Sequence, residues 1–206
     1  MTTPFKVIWL FFISLSPIIG LAQNNYESNI QHFRDSLNTH FKTDAHSPLD
    51  STDKSGFVAL TYYGIDSNYR VPFRFERKKR GKRFLMKTTT DRLPEYKVYG
   101  TLHFEIQGQL LHLTVYQNIA LSKTKAYKDY LFCPFKDLTN GNETYGGGRY
   151  LDFRIGDLQK GMIDFNLCYN PYCAYNHRYS CPIPPEENHL KIPINAGVRD
   201  WNSGSH

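Results

Sequence analysis

Apolar positions along the chain change period once, and the change divides the sequence. Beyond an apolar opening segment, Tyr26, Ile30, Phe33, Leu37 and Phe41 recur every three or four residues with polar residues between them. That spacing predicts one amphipathic helix over residues 23–42, packed on the rest of the fold. Residues 43–55, rich in Ser, Asp and Thr, read as a connecting loop. From Phe57 onward the period is two. Val71, Phe73 and Phe75 alternate with Pro72, Arg74 and Glu76, and an apolar return over 84–88 follows the run Arg77-Lys78-Lys79-Arg80-Gly81-Lys82-Arg83, which predicts a hairpin with a basic tip. Alternation over 101–106 and 110–115 flanks Gln107-Gly108, a two-residue turn. Its register sets Leu102 against Leu113, Phe104 against Leu111, and His103 against His112 on the opposite face. Two later apolar rows, Leu151/Phe153/Ile155 and Ile163/Phe165/Leu167, pair as a hairpin across 156–160, which places Asp152 opposite Asp164 and Tyr150 opposite Asn166. Leu190, Ile192 and Ile194 predict a closing edge strand, and residues 199–206 a flexible tail.

These elements make a mainly β fold, a single antiparallel barrel or sandwich-like domain of about eight or nine strands over 43–198, with the N-terminal helix laid on it. Composition agrees: 15 Tyr, 14 Phe, 14 Gly and 11 Pro but only 3 Met suit short, often interrupted strands. At 40% apolar and 21% charged, the chain is neither disordered nor fibrous. The opening segment has its own logic. Lys6 precedes an apolar run over 7–22 that is broken by Ser and Pro and ends in Gly20 and Ala22. It is too short for a comfortable membrane span and reads as a signal peptide over 1–22, cut after Ala22. The expected product is secreted or periplasmic, with no transmembrane anchor. A net charge of +6 decides little about partners.

Candidate chemistry concentrates between Phe132 and Gly197. Gly146-Gly147-Gly148 followed by Arg149 offers converging backbone N–H groups and a two-pronged donor for a carboxylate or phosphate. Alternatively, Arg149 pairs structurally with Asp137 or Glu143. No Gly-Lys-Ser/Thr follows the glycines, so the loop is not of the Walker type. Facing Asp152 and Asp164 would repel, and suit a divalent cation or an acid–base pair with split pKa values. Cys173 and Cys181 bracket seven residues and are expected to form a disulfide in an oxidising compartment, with a metal site including His177 or a nucleophilic Cys173 as alternatives. Cys133 and Cys168 pair or stay buried as thiols. His103 and His112 lack a third metal ligand. The basic run is either a solvated tip or a contact for polyanions; nucleic acid is not an expected partner outside the cytoplasm.

The string Phe132, Pro134-Phe135, Asp137, Thr139, Gly141, Glu143-Thr144-Tyr145, Gly147-Gly148-Arg149-Tyr150-Leu151-Asp152, Asp164-Phe165-Asn166, Tyr169-Asn170-Pro171, Cys173-Ala174-Tyr175, Cys181-Pro182, Pro184-Pro185, Glu187-Asn188, Leu190 and Ala196-Gly197 resembles the bacterial domain of unknown function sixteen-eighty-four family. The resemblance extends to Ser47-Pro48-Leu49 and Tyr69-Arg70-Val71. It implies no settled reaction, ligand or cofactor. Cys133 and Cys168 depart from the family's pattern.

The residues therefore lead to an exported protein that binds a small anionic or metal-bridged ligand. Its expected site uses Asp137, Thr139, Glu143, Gly147, Gly148, Arg149, Tyr150, Asn166 and Asn170. The competing expectation is a hydrolase in which Asp152 or Asp164 serves as acid or base, Arg149 and the glycine loop hold an oxyanion, and Tyr145 or Tyr169 positions substrate. A divalent cation would be held by Asp152 and Asp164.

Overall fold

The computed structural model describes residues 17–201, with side chains from Asn25 onward. Most of the expected signal peptide, residues 1–16, lies outside the described residues, as do residues 202–206. Helix α1 (Pro17–Thr43) is followed by a short helix α2 (Ser51–Gly56) and seven strands: β1 (Arg70–Arg77), β2 (Arg83–Leu85), β3 (Glu95–Ile106), β4 (Gln109–Asn118), β5 (Tyr130–Phe135), β6 (Arg149–Arg154) and β7 (Met162–Asp164). They form one antiparallel sheet in the order β6-β5-β4-β3-β1-β7, with β2 also beside β3, curled into a half-barrel. Helix α2 occupies what reads as loop in the sequence. Asp50 starts it by accepting the N–H groups of Thr52 and Asp53, each at 2.9 Å.

The β3–β4 hairpin has the register the alternation predicts, with Leu102 opposite Leu113 and His103 opposite His112. Gln107 and Gly108 both take positive φ (52° and 74°), as a tight primed turn needs. Two other predicted hairpins are corrected. β1 and β2 do not pair with each other: both run antiparallel to β3, Arg77 opposite Gly100 and Arg83 opposite Lys97. The basic run is a bulge between them, facing the register shift of β3 at Val98/Gly100. Gly81 lies so close to β3 that a Cβ there would collide with the Val98 carbonyl oxygen.

The 151–155 and 163–167 rows also separate. β6 pairs with β5, setting Asp152 opposite Phe132, and β7 pairs with β1, setting Asp164 opposite Arg70. Phe165–Leu167 is a turn of 3₁₀-helix, started by Asp164 accepting the Asn166 N–H at 3.0 Å. Side-chain capping outcompetes strand pairing there.

Inside the half-barrel, Leu102, Leu113, Val115, Leu131, Phe135, Ile163 and Phe165 are fully buried, each stabilising the fold by about 1.5–3 kcal/mol. Leu190, Ile192, Ile194, Ala196 and Val198 are buried alternately, as the expected closing strand would be, but they form no ladder. Backbone hydrogen bonds with 136–138 hold Leu190 and Ile192 and an isolated bridge joins Val198 to Tyr62, while two side chains satisfy the stretch between. Arg149, fully buried, donates to the carbonyls of Ile194, Ala196 and Val198, and Asp137 accepts the Ile194 N–H at 3.2 Å.

The predicted apolar stripe of α1 does face the protein: Ile30 and Phe41 are buried, and Tyr26 receives a hydrogen bond from Asn166 at 2.9 Å. No described helix is long and apolar enough to cross a membrane. The expected tail is ordered over its first three residues. Arg199 N–H donates to the Thr61 carbonyl at 2.8 Å, and the Trp201 ring packs on Phe57 and Tyr175.

Candidate functional site

On the sheet's other face, alternate residues of four strands place Tyr96, Tyr116, Phe132 and Tyr150 in a second cluster beside Met86. Tyr96, Phe132 and Tyr150 of this surface line a cleft of about 860 Å³, together with Phe33 and Leu37 of α1 and Tyr172 and Tyr179 of the segment that follows β7. Asp152 stands on its wall. Tyr130 donates its hydroxyl to one Asp152 carboxylate oxygen at 2.7 Å, and Tyr169 donates to the other at 2.8 Å. Tyr169 is fixed by a backbone bridge to Tyr150, with N–H···O distances of 2.9 and 3.1 Å.

By residue surface Asp152 is exposed, and it lines both this cleft and a second cavity under α1, so protein packs around it without closing it off. Burial raises its pKa above the ordinary carboxylate value, against the opposing pull of the two tyrosine hydroxyls and the nearby Arg154 charge. Both phenols are pushed far upward, by burial first and by the Asp152 charge next, and so remain donors. Among the described residues, Asp152 forms no ion pair. At the rim, Arg92 is tied to Ser180 through Nε (3.1 Å) and Nη2 (2.7 Å). Asn170, 2% exposed, donates to the Arg199 carbonyl at 2.9 Å and leaves its Oδ1 unpartnered on the cleft wall.

The expected site residues do not converge as one anion pocket. Arg149 pairs with Asp137 at 2.7 Å, both side chains fully buried, and lines neither this cleft nor its neighbour. Asp137 also accepts from the N–H (2.8 Å) and hydroxyl (2.6 Å) of Thr139, whose hydroxyl meets Thr144 at 2.8 Å. Of the two sequence alternatives for Arg149, the structural pairing is therefore the one formed. Two of the three glycines are likewise packing residues: a Cβ on Gly147 would strike the Tyr145 ring, and one on Gly148 would come within 2.6 Å of the Phe135 carbonyl. Glu143 lies at the surface and accepts from Tyr63 at 2.9 Å. Tyr150 donates to the Pro182 carbonyl, and Asn166 donates to the Asp66 carbonyl at 2.8 Å.

Asp152 and Asp164 lie on strands at opposite ends of the sheet order. Both border a second cavity of about 680 Å³ under α1, beside Arg70 and Lys160. Among the described residues, no three His, Cys, Asp or Glu side chains gather as a metal site requires. The cross-strand opposition expected of Asp152 and Asp164 is not formed, and the two acids share the lining of this cavity instead. What survives of the expected set at the cleft is Asp152, Tyr169, Tyr150 and Asn170.

His103 and His112 rings stand 6.4 Å apart, and His103 is 3.1 Å from Glu76. The basic bulge is exposed; Lys78 pairs with Glu76, and Arg77 stacks 3.2 Å from the Tyr99 ring centre. The expected Cys173–Cys181 disulfide is not formed, and all four cysteines are buried free thiols.

The sequence reading missed Tyr96, Tyr130, Phe33 and Leu37 as site residues. A signal existed for Tyr130: it alternates with Leu131 as Phe132 does with Cys133, so it shares a face with Phe132 and, across the strand pair, with Asp152. Phe33 and Leu37 carry no such mark, because helical spacing is the same for a cleft cover as for a core.

No curated protein matches this chain. Among solved structures, it is similar to the solution NMR structure of an uncharacterized protein from Haloarcula marismortui, with 31% identity over 90% of this chain and 99% of that one and a TM-score of 0.67. The profile described as "Protein of unknown function (DUF1684)" matches residues 55–199, which include every strand and the whole cleft apart from its cover by α1. The chain belongs to the DUF1684 family.

Proposed function

We propose that the protein is exported by its apolar leader and binds a small organic ligand in the aromatic cleft, seating a protonated amine or similar compact cation on Asp152. The observation that carries this reading is a carboxylate without an ion-pair partner, held by two tyrosine hydroxyls, opening into an aromatic-walled cavity. A cation entering there offsets the desolvation that raises the Asp152 pKa, and ring faces attract positive charge. A volume near 860 Å³ falls in the usual range for small-molecule sites, about 300–1,000 Å³. The earlier expectation of an anionic ligand loses its holder, since Arg149 is committed to Asp137 and three carbonyls. Export rests on Lys6 and the 7–22 run, and intact mass of secreted or periplasmic material should show a chain beginning at Gln23.

The test is calorimetric titration with benzylamine, its neutral counterpart benzyl alcohol and anionic benzoate. The amine should bind best, and Asp152→Asn should weaken it by roughly ten- to a hundredfold, the worth of a charge-assisted hydrogen bond of about 1.5–3 kcal/mol. Asp152 has a raised pKa in the folded protein, so amine binding should fade as pH drops, starting above the usual carboxylate range. Benzoate binding best, or an unchanged amine affinity in a folded Asp152→Asn protein, would sink the reading.

A further inference from the structure

Cys173 and Cys181 lie together beside the aromatic cleft, which Cys181 lines. Cys173 sits in the 3₁₀ turn Tyr172–Ala174, held by Ala174 N–H to the Pro171 carbonyl and Tyr175 N–H to the Tyr172 carbonyl. Cys181 sits on an extended segment tied to residues 87–89: its N–H donates to the Thr89 hydroxyl at 3.1 Å, and its carbonyl accepts the Thr89 N–H at 2.9 Å. The two anchorages bring the residues together. Cys173 N–H donates to Cys181 Sγ at 3.1 Å, which sets the second sulfur against the backbone of the first, and the Cys173 sulfur lies 3.6 Å from the Tyr145 hydroxyl. Cys133 and Cys168 differ. Both belong to the half-barrel core, and Cys168 spends its thiol on the Ala196 carbonyl at 3.5 Å.

We propose that Cys173 and Cys181 are a reversible dithiol–disulfide pair that exchanges with low-molecular-weight disulfides, Cys173 attacking and Cys181 resolving. The Cys173 thiolate bonds to one sulfur of the incoming disulfide, whose other sulfur leaves as a thiolate and takes up the proton that Cys173 lost. Cys181 then gives up its proton and attacks the Cys173 sulfur of the mixed disulfide, expelling the second small thiolate, which is protonated in turn. Two protein thiols are oxidised, and one small disulfide is reduced to two thiols.

The assignment of roles follows the surroundings. Hydrogen bonding from the Cys181 thiol first, then from the Tyr145 and Thr89 hydroxyls, pulls the Cys173 pKa down against the effect of burial, while Cys181 is pushed up by its bond to Cys173 and by burial. With both residues less than a tenth exposed, a small disulfide is the fitting partner. Cys181 also lines the aromatic cleft, which Cys173 does not, so the cleft reaches the pair on its resolving side.

The experiment uses the full chain, reduced and freed of reductant, then treated with bis(2-hydroxyethyl) disulfide, quenched by alkylation and mapped by peptide mass. The expected result is a Cys173–Cys181 disulfide, the protein lighter by two hydrogens, restored to thiols by dithiothreitol. Cys181→Ser should stop at a stable mixed disulfide on Cys173, and Cys173→Ser should react at least tenfold more slowly than wild type. Thermal melts of both variants check that they are folded. Absence of reaction in the wild-type protein, a mixed disulfide that never closes, or a Cys133–Cys168 link instead would each overturn the proposal.

Discussion

Replacing Arg149 with Met asks whether this arginine is a ligand for anions or the fastener of the fold. Its guanidinium is fully buried, 2.7 Å from a fully buried Asp137, and donates to the carbonyls of Ile194, Ala196 and Val198. Methionine fills much of the same volume, so packing loss is small and the electrostatic loss dominates. Removing one partner of a buried ion pair costs about 3–5 kcal/mol, because the remaining charge has no counterpart. Three carbonyls lose a charged donor at the same time, so the upper half of that range is the better expectation. For a domain of this size each kcal/mol lowers Tm by about 2–4 °C, which gives a fall of roughly 8–20 °C. Thermal denaturation followed by circular dichroism measures it, and hydrogen exchange locates it: amides of residues 192–198 should lose protection before those of β3 and β4. Adding Asp137→Asn to Arg149→Met should recover part of the loss, since it removes the stranded charge. A Tm within about 2 °C of wild type, with unchanged exchange over 192–198, would refute the fastener argument.

Two further substitutions separate packing from function. Gly148→Ala should cost about 1–3 kcal/mol in a denaturant melt, because Gly148 has φ +94° and a Cβ there meets the Phe135 carbonyl at 2.6 Å, whereas Gly146→Ala, with its nearest neighbour atom at 3.7 Å, should stay within about 0.5 kcal/mol. Changing Lys79, Arg80 and Lys82 together to Ser should leave the melt within about 0.5 kcal/mol of wild type, since all three are exposed, and a larger loss would mean that the bulge braces β3.

The β3–β4 hairpin was fully legible because each ingredient is local: two alternating runs, a two-residue turn, and a core on one side. The alternation over 190–198 was equally legible, yet the neighbour it implied was not. A periodic pattern reports which side of a segment is buried; it does not say whether a strand or a side chain satisfies the backbone. Here Arg149 and Asp137 reach the Ile194, Ala196 and Val198 backbone from 45 or more residues away in the chain, and no local rule anticipates that. The two corrected hairpins fail for a related reason. Adjacent apolar rows were paired because they are adjacent, but Arg77 and Arg83 both find β3, and Asp164 turns its own chain by capping.

The same limit explains the fate of the site. Gly146-Gly147-Gly148-Arg149 looked like an anion loop because the residue types allow it, but a glycine without a side chain serves equally to bring a backbone near a ligand or near another backbone. Burial decides between the two: the space a Gly148 side chain would need is already filled by Phe135 and Pro184, and the arginine next to it faces inward. Apolar spacing alone opposes Asp152 to Asp164, a cross-strand pairing that does not form. Its chemistry comes instead from the strand next door. Because Phe132 is its cross-strand partner, Tyr130 lies two residues along on the same face, and the Tyr150–Tyr169 bridge brings a second hydroxyl from the other side. A carboxylate flanked by phenols rather than by another acid has no need of a metal to cancel repulsion. Under the proposed function, that single charge is what an amine in the cleft would meet.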